Sequence, residues 1–153
     1  MKAVIQRVKS ASVKVEGKTV GEIEKGYLIL VGVVEGDDDK MADLLAEKTA
    51  KLRVFCDEND KMNKSVTDID GEILVVSQFT LCADCRKGNR PSFSSSAAVD
   101  EAERLYERYA QNLKNLGIRK VEKGVFGADM EVSLINDGPV TIIFDTDIWK
   151  SRG

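Results

Sequence analysis

Histidine is absent from the chain. That removes the side chain that changes charge near neutral pH, the usual general base and the commonest metal ligand. Hydrolysis through a Ser–His or Cys–His pair is therefore excluded. No apolar run approaches membrane-spanning length; Tyr27 to Val34 is strand-sized. The opening Met1-Lys2-Ala3-Val4-Ile5-Gln6-Arg7 carries charge where an export signal needs apolar residues, so a cytoplasmic location is expected. Cysteine is scarce and odd in number, three in all, which argues against a disulfide framework. Positive charge is not in excess either: the net charge is −3, so the whole molecule does not attract nucleic acid, and only a local basic face would.

What is present fits a folded protein. A hydrophobic fraction of 42% and a charged fraction of 32% exclude a disordered chain, and 153 residues suit one domain spanning 1–153. From Met1 to Glu16 apolar residues alternate, but the parity shifts between Val8 and Ala11, which predicts a bulge or bend in a long strand. Turns at Glu16-Gly17-Lys18 and Glu24-Lys25-Gly26 flank a second strand. Tyr27 to Val34 is apolar throughout, so both of its faces should be covered. Asp37, Asp38 and Asp39 suit a helix start better than a metal site. Met41, Leu44, Leu45, Lys48 and Leu52 then share one face, with Ala42, Ala46 and Ala50 beside them. Phe55 to Gly71 is mostly polar and reads as an excursion loop.

Asp100 with Glu103 has capping-box spacing, and Val99, Ala102, Leu105, Tyr106, Tyr109, Leu113 and Leu116 line one helical face up to Gly117. Val121–Phe126, Met130–Ile135 and Val140–Asp145 read as strands, the last two joined through Asp137-Gly138 as an unusual hairpin, since Pro139 follows at once. The expected class is α/β: mixed, partly barrel-like sheet layers with two amphipathic helices packed on one side.

The central stretch is Gly71 to Leu81, a β-branched apolar run that ends in Ser77, Gln78 and Thr80. Polar groups closing a buried strand either satisfy backbone partners or present chemistry, and residue types alone leave both open. The functional reading needs backbone N–H groups aimed at an oxyanion. Gly138-Pro139 is a rigid turn of undetermined isomer. Cys82-Ala83-Asp84-Cys85 is a lone C-x-x-C. A structural zinc site needs four ligands, and Cys56 is the one further soft ligand, so free thiols are expected, with neither metal nor cofactor. Arg86, Lys87 and Arg90 gather before Pro91-Ser92-Phe93, either as a solvated loop or as phosphate anchors.

Taken together, Ser77-Gln78-Phe79-Thr80-Leu81, then Arg86-Lys87-Gly88-Asn89-Arg90-Pro91-Ser92-Phe93, then Asn136-Asp137-Gly138-Pro139-Val140-Thr141 resemble the D-aminoacyl-tRNA deacylase family. The opening Met1 to Val8 resembles that family's N-terminus, and the match runs over essentially the whole chain. The resemblance implies a homodimer that hydrolyses the ester between a D-amino acid and the terminal ribose of tRNA, and that clears mischarged glycyl-tRNA. It implies catalytic roles for Ser77, Gln78, Phe79 and Thr80. It also implies a cis Gly138-Pro139 bond that enters the partner's pocket to reject L-amino acids, held by Arg7. Arg86, Lys87 and Arg90 are the expected tRNA contacts. Cys82 and Cys85 stand where family members often carry Tyr and Thr. The rival expectation is a non-catalytic RNA-binding module using the same three cations.

Overall fold

One long strand, β1 (Lys2–Val15), organises the sheet. Its buried residues are Ala3 and Ile5, then Val8, then Ala11 and Val13, so the inward parity slips as the sequence predicts. β1 returns through Glu16 and Gly17, both at positive φ, into β2 (Lys18–Ile23), a two-residue turn whose twist matches the strands it joins. The other half of β1 pairs antiparallel with β3 (Gly26–Gly32). The computed structural model describes residues 1–150.

β3 is flanked in parallel by β6 (Glu72–Ser77), and β6 in turn by β7 (Lys120–Lys123). Parallel neighbours require crossovers, supplied by α1 (Asp39–Lys51) and α2 (Val99–Asn115). The continuous apolar run of β3 is explained by two cores. Tyr27, Ile29 and Val31, with Ile73 and Val75 of β6, face the helices. Leu28, with Leu74 and Val76, faces inward against Val8, Ala11, Val13 and Ile23. Each such aliphatic side chain contributes roughly 2 kcal/mol when fully buried. The inner face closes because β2 curls over β7, with Gly21 so near the Lys123 carbonyl that a Cβ would lie 2.9 Å from it. The result is the expected mixed, nearly closed sheet with both helices on one face.

Several local expectations are corrected. The buried face of α1 is Ala42, Leu45, Ala46, Thr49 and Ala50; Lys48 is exposed and Met41, Leu44 and Leu52 are half-buried. Small residues let α1 approach α2 closely, where Thr49 and Tyr109 hydroxyls meet at 2.9 Å. α2 has no capping box: Ala98 occupies the cap without a side-chain bond, Asp100 lies inside the first turn, and Val99 is 69% exposed. The Phe55–Gly71 excursion contains a small hairpin, β4 (Phe55–Cys56) with β5 (Met62–Lys64). β7 ends at Lys123, so Gly124 to Phe126 belong to a loop.

The largest correction concerns the C-terminal strands. No hairpin separates them; β8 (Glu131–Asp145) is one strand running antiparallel to β1 along almost its full length. Gln6 pairs with Thr141 and Val8 with Asn136, so Asp137, Gly138, Pro139 and Val140 bulge out opposite the single residue Arg7. Both halves of β8 pair antiparallel with the same strand β1, so the chain cannot reverse between them.

Candidate active site

β6 is buried through Val76 and then stops. Gln78 donates its N–H to the Val31 carbonyl at 2.7 Å, the last bond that continues the sheet. Beyond it Phe79–Cys82 forms a 3-10 turn closed by Leu81 N–H to Gln78 O at 3.2 Å and Ala83 N–H to Thr80 O at 3.1 Å. Phe79 and Thr80 head that turn, where leading N–H groups have no acceptor within it. The Gln78 side-chain amide donates to the Thr80 hydroxyl oxygen. Phe79 is 56% exposed and packs edge-on against Phe93, with ring centroids 5.0 Å apart.

Ser77, Gln78 and Phe79 form one wall of a cavity of about 530 Å³. Its floor is Val31, Val33 and Val76, and Ala97, Ala102 and Tyr106 come from α2 and the segment before it. The remaining wall is Phe126, Gly127, Ala128, Asp129 and Met130. Tyr106 is fixed by donating to the Val75 carbonyl at 3.0 Å, and burial pushes its ionisation well above the ordinary phenol range. The Phe126–Met130 wall escapes the sequence reading. Its signal is Gly124, over which the Met130 sulfur lies so closely that an added Cβ would sit 2.6 Å from it and make that side chain move.

A second hollow, of about 580 Å³, lies in the seam between β2 and β7. Glu22, Glu24, Glu72 and Glu122 line it against Lys120 alone. Its buried carboxylate, Glu72, is already satisfied by the Glu24 N–H and by Arg119, each at 2.8 Å. Four carboxylates against one lysine make it a poor seat for an anion, whereas the cavity at the end of β6 is lined mainly by apolar side chains.

Arg7 reaches across the β8 bulge. Its Nε donates to the Asp137 carbonyl at 3.0 Å and Nη1 to the Val54 carbonyl at 2.6 Å. Gly138 has φ +130°, and an added Cβ would stand 3.1 Å from Arg7 Nη2, so only glycine fits. The Gly138–Pro139 peptide is cis, and both residues are exposed.

The three loop cations are not equivalent. Asp84 N–H and C=O bridge Ser92 at 2.7 and 2.8 Å, so residues 85–91 project as a tip. Arg86 forks onto the Asp84 carboxylate at 2.9 and 2.7 Å and holds that carboxyl down at about 2. Lys87 and Arg90 have no ion pair among the described residues. Cys56, Cys82 and Cys85 are free thiols, with Cys82 buried against the Val33 carbonyl at 3.5 Å.

Within one chain the two motifs are not brought together. Ser77 pairs with Val31, while Arg7 pairs with Tyr27, which pairs with Ile73. The bulge therefore lies roughly 13 Å further along the strand direction and about 14 Å across the sheet, or about 20 Å from Ser77.

A family model described as D-Tyr-tRNA(Tyr) deacylase matches residues 4–145. The chain belongs to that family. It is 59% identical over 146 residues to the D-aminoacyl-tRNA deacylase of Thermosipho africanus, covering 95% of this chain and 97% of the relative. It is 56% identical over 153 residues to the D-aminoacyl-tRNA deacylase of Geotalea uraniireducens, covering 100% and 98%. Among solved structures, c-Myc DNA Unwinding Element Binding Protein is similar at 42% identity and a TM-score of 0.89, covering 95% of this chain and 98% of that one.

Proposed function

We propose that this family member hydrolyses the ester between a D-amino acid and the 3′-terminal ribose of tRNA, releasing the free amino acid and the tRNA hydroxyl. The observation that carries the reading is full-length identity to deacylases, 56% over all 153 residues for one of them, together with a polar turn opening into an apolar cavity. Water attacks the carbonyl carbon, and the developing oxyanion meets the N–H of Phe79. Thr80 is not the nucleophile: its oxygen accepts from Gln78, and no neighbouring base takes its proton. It orients the substrate or the water instead. The vicinal 2′-hydroxyl of the ribose supplies the remaining activation, which suits a chain without histidine.

Selection falls to Gly138 and Pro139, whose carbonyls block the direction an L side chain takes from Cα and leave D-amino acids and glycine acceptable. Since that bulge lies about 20 Å from Ser77 of its own chain, it serves the site of a second copy. The unpaired edge of β8 supports such a homodimer, and Ile143 beside it is 72% exposed. Lys87 and Arg90 contact tRNA phosphate, with Arg86 shaping their loop. The enzyme acts in the cytoplasm, without a cofactor; among the described residues no helix is long and apolar enough to cross a membrane. Matched D-tyrosyl-, L-tyrosyl- and glycyl-tRNA test the reading: rapid release from the first and third and little from the second is expected. Equal rates on both enantiomers would overturn it.

A further inference from the structure

Gly32 ends β3 directly beneath the 3-10 turn. No left-handed φ requires glycine there, and glycine weakens a strand, so its presence points to a close backbone approach. The neighbours show which. A Cβ on Gly32 would lie 3.0 Å from the Gln78 carbonyl oxygen, 3.1 Å from Leu81 Cβ and 3.4 Å from Cys82 Sγ. All three belong to the turn or its cap. On either side of Gly32 the strand bonds the same turn, through Val31 O to Gln78 N–H at 2.7 Å and Val33 O to the Cys82 thiol at 3.5 Å. The end of β3 is thus a rail with the turn lying flat on its one bare residue.

We propose that Gly32 is a positioning residue for the deacylation reaction, setting the height of Gln78 and Phe79 at the cavity wall and of Thr80 beside them. This rests on the reading of Ser77 to Thr80 as the reacting segment. The Gln78 carbonyl cannot be repacked as a side chain can, and it also accepts the Leu81 N–H at 3.2 Å. Any side chain at Gly32 therefore lifts the whole turn by a few tenths of an ångström. Since a misplacement of about 1 Å costs a reaction about a hundredfold, a shift of about 0.3 Å in Gly32→Ala lowers kcat roughly fourfold with KM little changed.

The test compares kcat and KM on D-tyrosyl-tRNA for wild type, Gly32→Ala, Cys82→Ala and the double variant, with backbone amide resonances of the labelled proteins recorded alongside. A fall in kcat together with resonance changes centred on Gln78 to Cys82 sustains the assignment, with little recovery from Cys82→Ala, because the sulfur at 3.4 Å is the loosest neighbour while the Gln78 carbonyl and Leu81 Cβ stay in place. Unchanged kcat in a folded Gly32→Ala, or a loss carried by KM alone, overturns it. If Gly32→Ala does not fold, the double variant is compared with Cys82→Ala, and equal kcat values overturn the assignment. A wild type inactive on D-tyrosyl-tRNA refutes the deacylase reading instead. The resonances then judge Gly32 alone: unmoved Gln78 to Cys82 amides overturn its role.

Discussion

Replacing Arg7 with alanine isolates the selector from the chemistry. Arg7 gives one bond to the Asp137 carbonyl at 3.0 Å and one to the buried Val54 carbonyl at 2.6 Å. A hydrogen bond from a charged donor is worth about 1.5–3 kcal/mol net, so losing both removes about 3 kcal/mol or more, before counting the stranded Val54 carbonyl. The bulge Asp137–Val140 has no strand partner opposite Arg7, so the Asp137 bond, about 1.5–3 kcal/mol of that total, is what keeps it from swinging aside. About 1.5–3 kcal/mol corresponds to roughly ten- to hundredfold in a population or rate ratio. The expected result is a fall of roughly ten- to hundredfold in the D-over-L preference, arising mainly from faster release of L-tyrosine. The assay is initial-rate deacylation of matched D- and L-tyrosyl-tRNA, with denaturant unfolding run in parallel. Arg7→Lys should recover little, because one ammonium does not reproduce a fork that reaches two carbonyls in different directions. An Arg7→Ala protein that folds and keeps the wild-type enantiomer ratio would refute the reasoning.

Thr80→Ala is expected to slow turnover about tenfold, the worth of one hydrogen bond to the reacting groups, and mass spectrometry should find no acyl-enzyme in either protein. Ile143→Glu places a charge on a 72% exposed apolar side chain of β8; sedimentation should show a shift to monomer, with the enantiomer preference lost in parallel. Lys87→Ala with Arg90→Ala should raise KM for tRNA and reduce the log–log salt dependence of binding by about 1.5, leaving kcat at saturating substrate near wild type. Hydrogen bonds from Arg108, and then Asn112, lower the Asp43 carboxyl below its ordinary 3.8. A lowered folded-state value adds stability above the unfolded pKa that is lost as pH falls through the folded one. Because the pair is nearly half exposed, about 0.5 kcal/mol is expected. Urea midpoints of wild type and Asp43→Asn should therefore differ at pH 7 and converge towards pH 2.

The sequence made the sheet legible where burial is local in its signature. β3 and β6 announce themselves by unbroken apolar runs, and the inward slip of β1 shows in the step from Val8 to Ala11. Ser77 to Thr80 was legible as a strand end, yet residue types could not show that a cavity opens there, because Tyr106 and the Phe126–Met130 wall arrive from distant segments. Asn136 to Val140 has the chemistry of a turn whether the chain reverses or merely bulges. The deciding fact is the pairing of both flanks with β1, more than a hundred residues away. Likewise Asp100 looked like a cap because side-chain spacing does not report where the backbone enters the helix.

The separation of the two motifs has a consequence for how variants combine. Changes more than about 10 Å apart act additively unless a shared element couples them. Within one chain Arg7 and Gly32 sit at opposite ends of the β1–β3 ladder, where Arg7 faces Tyr27 and Gly32 faces Lys2. Their substitutions should multiply if each chain works alone. If the bulge of one copy closes the cavity of another, the residues that set the turn and those that hold the barrier act on the same substrate carbon. A loosened barrier would then matter most when the turn is seated correctly, and the combined effect on the enantiomer ratio would fall short of the product. Additivity or its failure therefore reports whether selection is made within a chain or between two.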